Sequence, residues 1–232
     1  MLGVPVLAAL VGAAFSAAVL RQFAARRRPY QAAWGVALAM FAVAAAAEAW
    51  GVGAGWSGAS YRVYYLFGAI LNVGWLAVGT VYVTGARGAG HAAALVMAAV
   101  SLGAVAGVLA SHTDPALLRA AVPGRGAISA PATFFPLFTN VVGSVILIGG
   151  AAWSAWKALR AGAPGGRVVG TALIAAGAFV VAGGHTLAQT RGIYVLQPAC
   201  EALGIVIMFG GYLAVEAGRL PRLSTRPARG AT

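Results

Sequence analysis

Glu201 stands inside an apolar run that extends from residue 194 to residue 215. A carboxylate within a membrane span costs roughly 2.5 to 3.5 kcal/mol on insertion scales, so it requires a partner, a proton or a water-filled cavity. Tyr194, Gln197 and Glu201 follow an i, i+3, i+7 spacing, which predicts that they share one helical face. Pro198 falls between them and is expected to free the backbone carbonyl of Tyr194 one turn earlier. This face reads as one wall of a polar pocket, with Glu201 anchoring a ligand or titrating and Gln197 orienting by hydrogen bonds.

The other polar residues of the apolar runs singled out as candidates are Glu48, Arg62, Asn72, Asn140 and His185. In the third run, Tyr61, Tyr65, Gly68, Asn72, Trp75, Gly79 and Tyr82 alternate steps of four and three, which predicts a single stripe. Tyr65 and Asn72 are therefore candidates for a second pocket wall, with Tyr194 opposite. The plainer reading of the same stripe is a tight helix interface admitted by its glycines. Arg62 and His185 would balance the charge of Glu48 and Glu201, either as internal ion pairs or around a ligand. His185 is also the residue whose ordinary titration range suits pH sensing.

These residues must be positioned by membrane helices. The chain has 232 residues, of which 61% are hydrophobic and only 9% charged, a balance that excludes an ordinary soluble domain. Apolar runs cover about 2–20, 31–50, 61–84, 91–110, 134–156, 168–187 and 194–215, each near the roughly 20 residues needed to cross a bilayer. The expected architecture is all-α: one seven-helix transmembrane domain over 1–216, then a basic tail over 217–232. Arg21, Arg26, Arg27 and Arg28 follow the first run and no basic residue precedes it, so the first helix should be retained with its N-terminus outside. On that topology twelve basic residues fall inside and four outside, and the tail is cytoplasmic. The net charge of +12 is thus explained by loop placement, and no nucleic-acid partner is expected. The lipid bilayer is the expected partner, in the bacterial inner (plasma) membrane.

Depth along each helix, at about 1.5 Å per residue, puts Glu201 about 10 Å below the outer surface and Asn140 at a similar level. Nearly all the polar residues then lie in the outer half, which predicts a cavity open to the outside. Spans one to three and five to seven are candidates for a 3+1+3 repeat, since aligning Tyr64 with Tyr194 pairs Leu66 with Leu196 and Gly74 with Gly204.

Several sharper chemistries lack their residues, and no cofactor is expected. A retinal Schiff base needs a lysine within a span, but Lys157 is the single lysine and lies at the inner end of span five. Paired histidines for haem at matching depth are missing, because His91 lies at the inner surface, His112 in an outer loop, and only His185 well within a span. A zinc site would need His185, Glu48 and Glu201 to converge with His112 or Asp114, and no close-spaced ligand pair supports one. Cys200, the single cysteine, excludes an internal disulfide.

Residues 62–79, RVYYLFGAILNVGWLAVG, resemble a stretch in the seven-helix membrane sensor regions attached to bacterial histidine kinases and related signalling proteins. The resemblance covers one span plus the span count. It implies a sensing or ligand-binding unit, and the short tail implies a separate cytoplasmic signalling partner. The leading expectation is therefore a small-ligand-binding or proton-sensing membrane protein. A small carrier or proton-coupled transporter is the second reading, and a metal-dependent intramembrane enzyme the third.

Overall fold

The computed structural model describes residues 2–163 and 165–217; of the expected basic tail, 218–232 lies outside the described residues. Seven helices are long and apolar enough to cross a membrane, and the described residues form no strand. They are α1 (Gly3–Arg26), α2 (Pro29–Ala54), α3 (Gly58–Thr84), α4 (Arg87–Ala110), α5 (Phe135–Arg160), α6 (Gly165–Arg191) and α7 (Gln197–Ala217). The shortest, α7, has 21 residues and so is about 32 Å long, enough to cross a hydrocarbon core of about 30 Å. Leu95, Leu102 and Leu109 of α4 are all more than 70% exposed. Such a face needs lipid rather than water around it, and the protein is accordingly a multi-pass membrane protein.

Local sequence sets the helix ends. Arg27 closes α1 in the left-handed conformation, its N–H donating to the Phe23 carbonyl, and Pro29 opens α2 where its missing N–H leaves no bond unmade. Ser57 and Ser60 form a capping box at the start of α3, each hydroxyl accepting from the other's backbone N–H. Gly192, at φ +68°, turns the chain between α6 and α7.

Six helices close a ring. α1 packs on α2, α2 on α3, α3 on α5, α5 on α6, α6 on α7, and α7 returns to α1. α4 stands outside, against α3 and the short turn Ala132–Phe134 before α5. The most extensive contact joins α6 to α7. Gly170, Gly177 and Gly184 recur every seven residues on α6 and face Gly211, Gly204 and Cys200 of α7. A Cβ on Gly177 would lie 2.5 Å from the Gly204 carbonyl oxygen, so the backbones touch directly. Cys200 is part of this seam, its side chain filling the space over Gly184.

α3 is not a uniform helix. Tyr65–Leu71 forms wide π turns between two α-helical segments. Bonding from i to i+5 brings residues about four apart onto one face, so Tyr64, Gly68 and Asn72 share a side. The regular stripe expected through Tyr65 is broken at this point.

The connection over 111–131 is ordered against one end of the bundle. Thr113 and Ile128 form an isolated antiparallel bridge. Tyr61 Oη donates to the Gly124 carbonyl at 2.8 Å, Arg62 Nη2 to the Ser111 carbonyl at 2.9 Å, and Trp56 Nε1 to the Ala121 carbonyl at 3.1 Å.

Candidate functional site

Within the ring, α2, α3, α5, α6 and α7 enclose a cavity of about 350 Å³. Its floor is apolar. Leu38 and Phe41 of α2, Leu147 of α5 and Ile205 and Met208 of α7 line it and belong to a core that also draws in Phe15 of α1. The polar groups gather at the end nearer the 111–131 connection.

Gln197 organises that end. Its side-chain amide nitrogen donates to the Tyr64 hydroxyl oxygen at 2.8 Å and to Glu201 Oε1 at 3.0 Å, using both amide hydrogens. An ionised Glu201 carboxylate can only accept, which selects this orientation of the amide, while the Tyr64 hydroxyl could serve either. All three residues are buried, at 6% exposure for Gln197 and Tyr64 and 7% for Glu201. His185 of α6 completes the group from the other side. Its Nδ1 lies 3.8 Å from Glu201 Oε1, beyond hydrogen-bond reach but within ion-pair reach for a protonated ring. The cluster thus ties α3, α6 and α7 together around one carboxyl group.

Asn140 of α5 and Asn72 of α3 also line the cavity. Asn140 Nδ2 donates at 2.8 Å to the carbonyl of Ala69, inside the wide turns of α3. Where π bonding reverts to α bonding a carbonyl loses its in-line amide, and a side-chain donor on the neighbouring helix meets that need. The carbonyl oxygens of both asparagines are buried without a hydrogen-bond partner.

Of the nine residues singled out from the sequence, the structure brings Glu201, Gln197, His185, Asn72 and Asn140 to the cavity wall. Four lie elsewhere. Tyr194 belongs to a tight turn, Tyr194–Leu196, that precedes α7, and its ring packs over Gly124 of the long connection. The shared face expected for Tyr194, Gln197 and Glu201 is corrected for this reason. α7 begins at Gln197, Pro198 sits in its first turn, and no span-internal carbonyl is freed. Tyr65 turns away from the cavity, with its ring 5.9 Å from that of Tyr61, because the π turns rotate it off the Asn72 face. Arg62 is spent on the Ser111 carbonyl and pairs with neither glutamate. Glu48 is fully buried on α2, behind the wall rather than on it, and neither of its oxygens has a hydrogen-bond partner. It remains within electrostatic range of Glu201 and Tyr64.

Tyr64 and Ser144 line the cavity without having stood out in the sequence. A regular helical stripe excludes Tyr64, and π turns carry no clear residue signature. Ser144 sits four residues after Asn140, a spacing that marks a shared face. Among the described residues no three His, Cys, Asp or Glu side chains converge as a metal site. No known family model, curated protein or solved structure matches this chain.

Proposed function

We propose that the protein is a membrane-embedded receptor that binds a small ligand or a proton at Glu201 and passes the change across the bilayer by helix movement. The observation that carries this reading is the Tyr64–Gln197–Glu201–His185 cluster at the head of an otherwise apolar cavity. A cavity of this size and make-up, mostly apolar with a few convergent polar groups, suits a small molecule. A ligand on Glu201 would act on three helices at once, because the cluster joins α3, α6 and α7.

The basic residues support an orientation. Among the described residues eight lie at one end, Arg21, Arg26, Arg27, Arg28, Arg87, Lys157, Arg160 and Arg167, against Arg62, Arg119, Arg125 and Arg191 at the other. We place the first end in the cytoplasm of a bacterial-type inner membrane, where a separate signalling partner would meet it.

A carrier remains the second reading. The ring order α1-α2-α3-α5-α6-α7, with α4 outside, is the order that two parallel three-helix repeats and a linking helix would produce. Against it, the floor of the cavity is apolar, and in the same core Phe15 of α1 packs against Phe209 and Tyr212 of α7 with ring centroids 5.1–6.2 Å apart.

The test is Glu201→Gln in the full-length protein reconstituted in lipid. The variant keeps the shape of the side chain and one acceptor for Gln197. We expect it to remain folded by circular dichroism and to lose the ligand- or proton-induced change in helix packing, read by fluorescence of a probe on the cytoplasmic end. A response equal to that of the parent would remove Glu201 from the site.

A further inference from the structure

We infer that the cavity is loaded sideways from the bilayer, between α5 and α6, and takes an amphipathic amine whose ammonium group docks on Glu201. This deepens, and rests on, the reading of the Glu201 cluster as a ligand pocket.

The route follows from which wall residues are open. Val141 and Val145 of α5 line the cavity yet are 57% and 70% exposed, and Thr186 of α6 is exposed as well. Every wall residue from α2 and α7 is buried. Neither the 111–131 connection nor the 192–196 turn contributes to the wall. The exposed rim is therefore confined to two adjacent helices. It begins six residues into α5, about 9 Å below the helix end, at the depth of acyl chains rather than headgroups.

The ligand class follows from the distribution of charge and volume. Glu201 receives one amide hydrogen bond, from Gln197, while His185 stands too far for a second. No arginine or lysine lines the cavity, and a second carboxyl, Glu48, lies just behind the wall. A cation would complement these groups, whereas an anion would meet two carboxyls in a medium that screens little. Beyond the Glu201 cluster the wall is mostly apolar, with Asn72, Asn140, Ser144 and Thr186 its remaining polar side chains, and 350 Å³ corresponds to roughly a dozen water-sized volumes. One alkyl chain with a compact ammonium head fits this space.

The experiment uses the full-length protein in phosphatidylcholine nanodiscs, with radiolabelled dodecylamine as probe and dodecanoate and butylamine as comparisons. We expect dodecylamine to bind at least about tenfold more tightly than dodecanoate, and Glu201→Gln to remove that preference. Val145→Trp, on the lipid-facing rim, should slow dodecylamine loading severalfold while leaving the fold intact by circular dichroism. Equal binding of dodecanoate, or loading unaffected by Val145→Trp with butylamine still dependent on Glu201, would overturn the lateral amine site and leave the pocket standing. Loss of Glu201 dependence for every probe would sink the pocket as well.

Discussion

At the scale of single residues, the two buried glutamates differ in what surrounds them. Glu201 has Gln197 as a donor, His185 across the cavity and accessible space beside it. Glu48 has no donor on either oxygen and no exposure. A buried ionisable group without partners detracts from stability, and replacing it with an apolar side chain of similar volume is neutral or stabilising. Glu48→Met should therefore leave the thermal midpoint in detergent unchanged or raise it. A marked drop would reveal a partner for Glu48 that the folded structure hides. Gln197 is the contrasting case. Its amide bridges Tyr64 and Glu201, so Gln197→Leu leaves two buried oxygens without their donor and should cost about 1–3 kcal/mol in urea or thermal unfolding.

At the scale of elements, α3 and α7 carry the site and each depends on a neighbour. The wide turns of α3 turn Tyr64 toward Gln197, and Asn140 of α5 answers the Ala69 carbonyl within them. Asn140→Leu removes that donor. The expected loss is about 1 kcal/mol, in line with hydrogen bonds between membrane helices, together with weaker binding at Glu201 as α3 relaxes toward a regular helix. The same loss of stability with unchanged binding would show that the wide turns do not position the site. α7 is held by its glycine seam with α6. Gly177→Val would drive two methyl groups into the Gly204 carbonyl and Met208, and overpacking of this kind costs about 1–3 kcal/mol or more. Because His185 directly follows Gly184 on the same helix, separation of α6 from α7 should also move it away from Glu201. Differential scanning fluorimetry, followed by a binding measurement on the folded fraction, separates the two effects.

At the scale of the whole molecule, the arrangement is a six-helix ring with α4 outside it and a cavity in one half. The orientation proposed for this ring can be tested with single cysteines in a Cys200→Ser background. Ser129→Cys, on the long connection, should react in intact cells with a membrane-impermeant maleimide. Ala161→Cys, between α5 and α6, should react only after the cells are opened. The reverse pattern would invert the topology and place the Glu201 cluster in the cytoplasmic half.

Helix number and approximate ends were readable from the chain alone, because lipid demands long apolar runs whose backbone groups bond within the segment. The importance of Glu201 was readable for the same reason, since an acid in such a run stands out against its surroundings. Its companions were only partly readable. Gln197 precedes Glu201 by four residues on one helix, and local spacing is enough to pair them. Tyr194 looked equally close, but the chain turns before α7 begins and carries it to the long connection. Tyr64 took the place of Tyr65 because π turns changed the face that α3 presents, and that change depends on what α2 and α5 press against it. The convergence of α3, α5, α6 and α7 on one cavity, and the exposure of its wall at Val141, Val145 and Thr186, arise from packing between distant segments. Periodicity records which face of a helix is greasy or polar; only the assembled ring decides which polar faces meet.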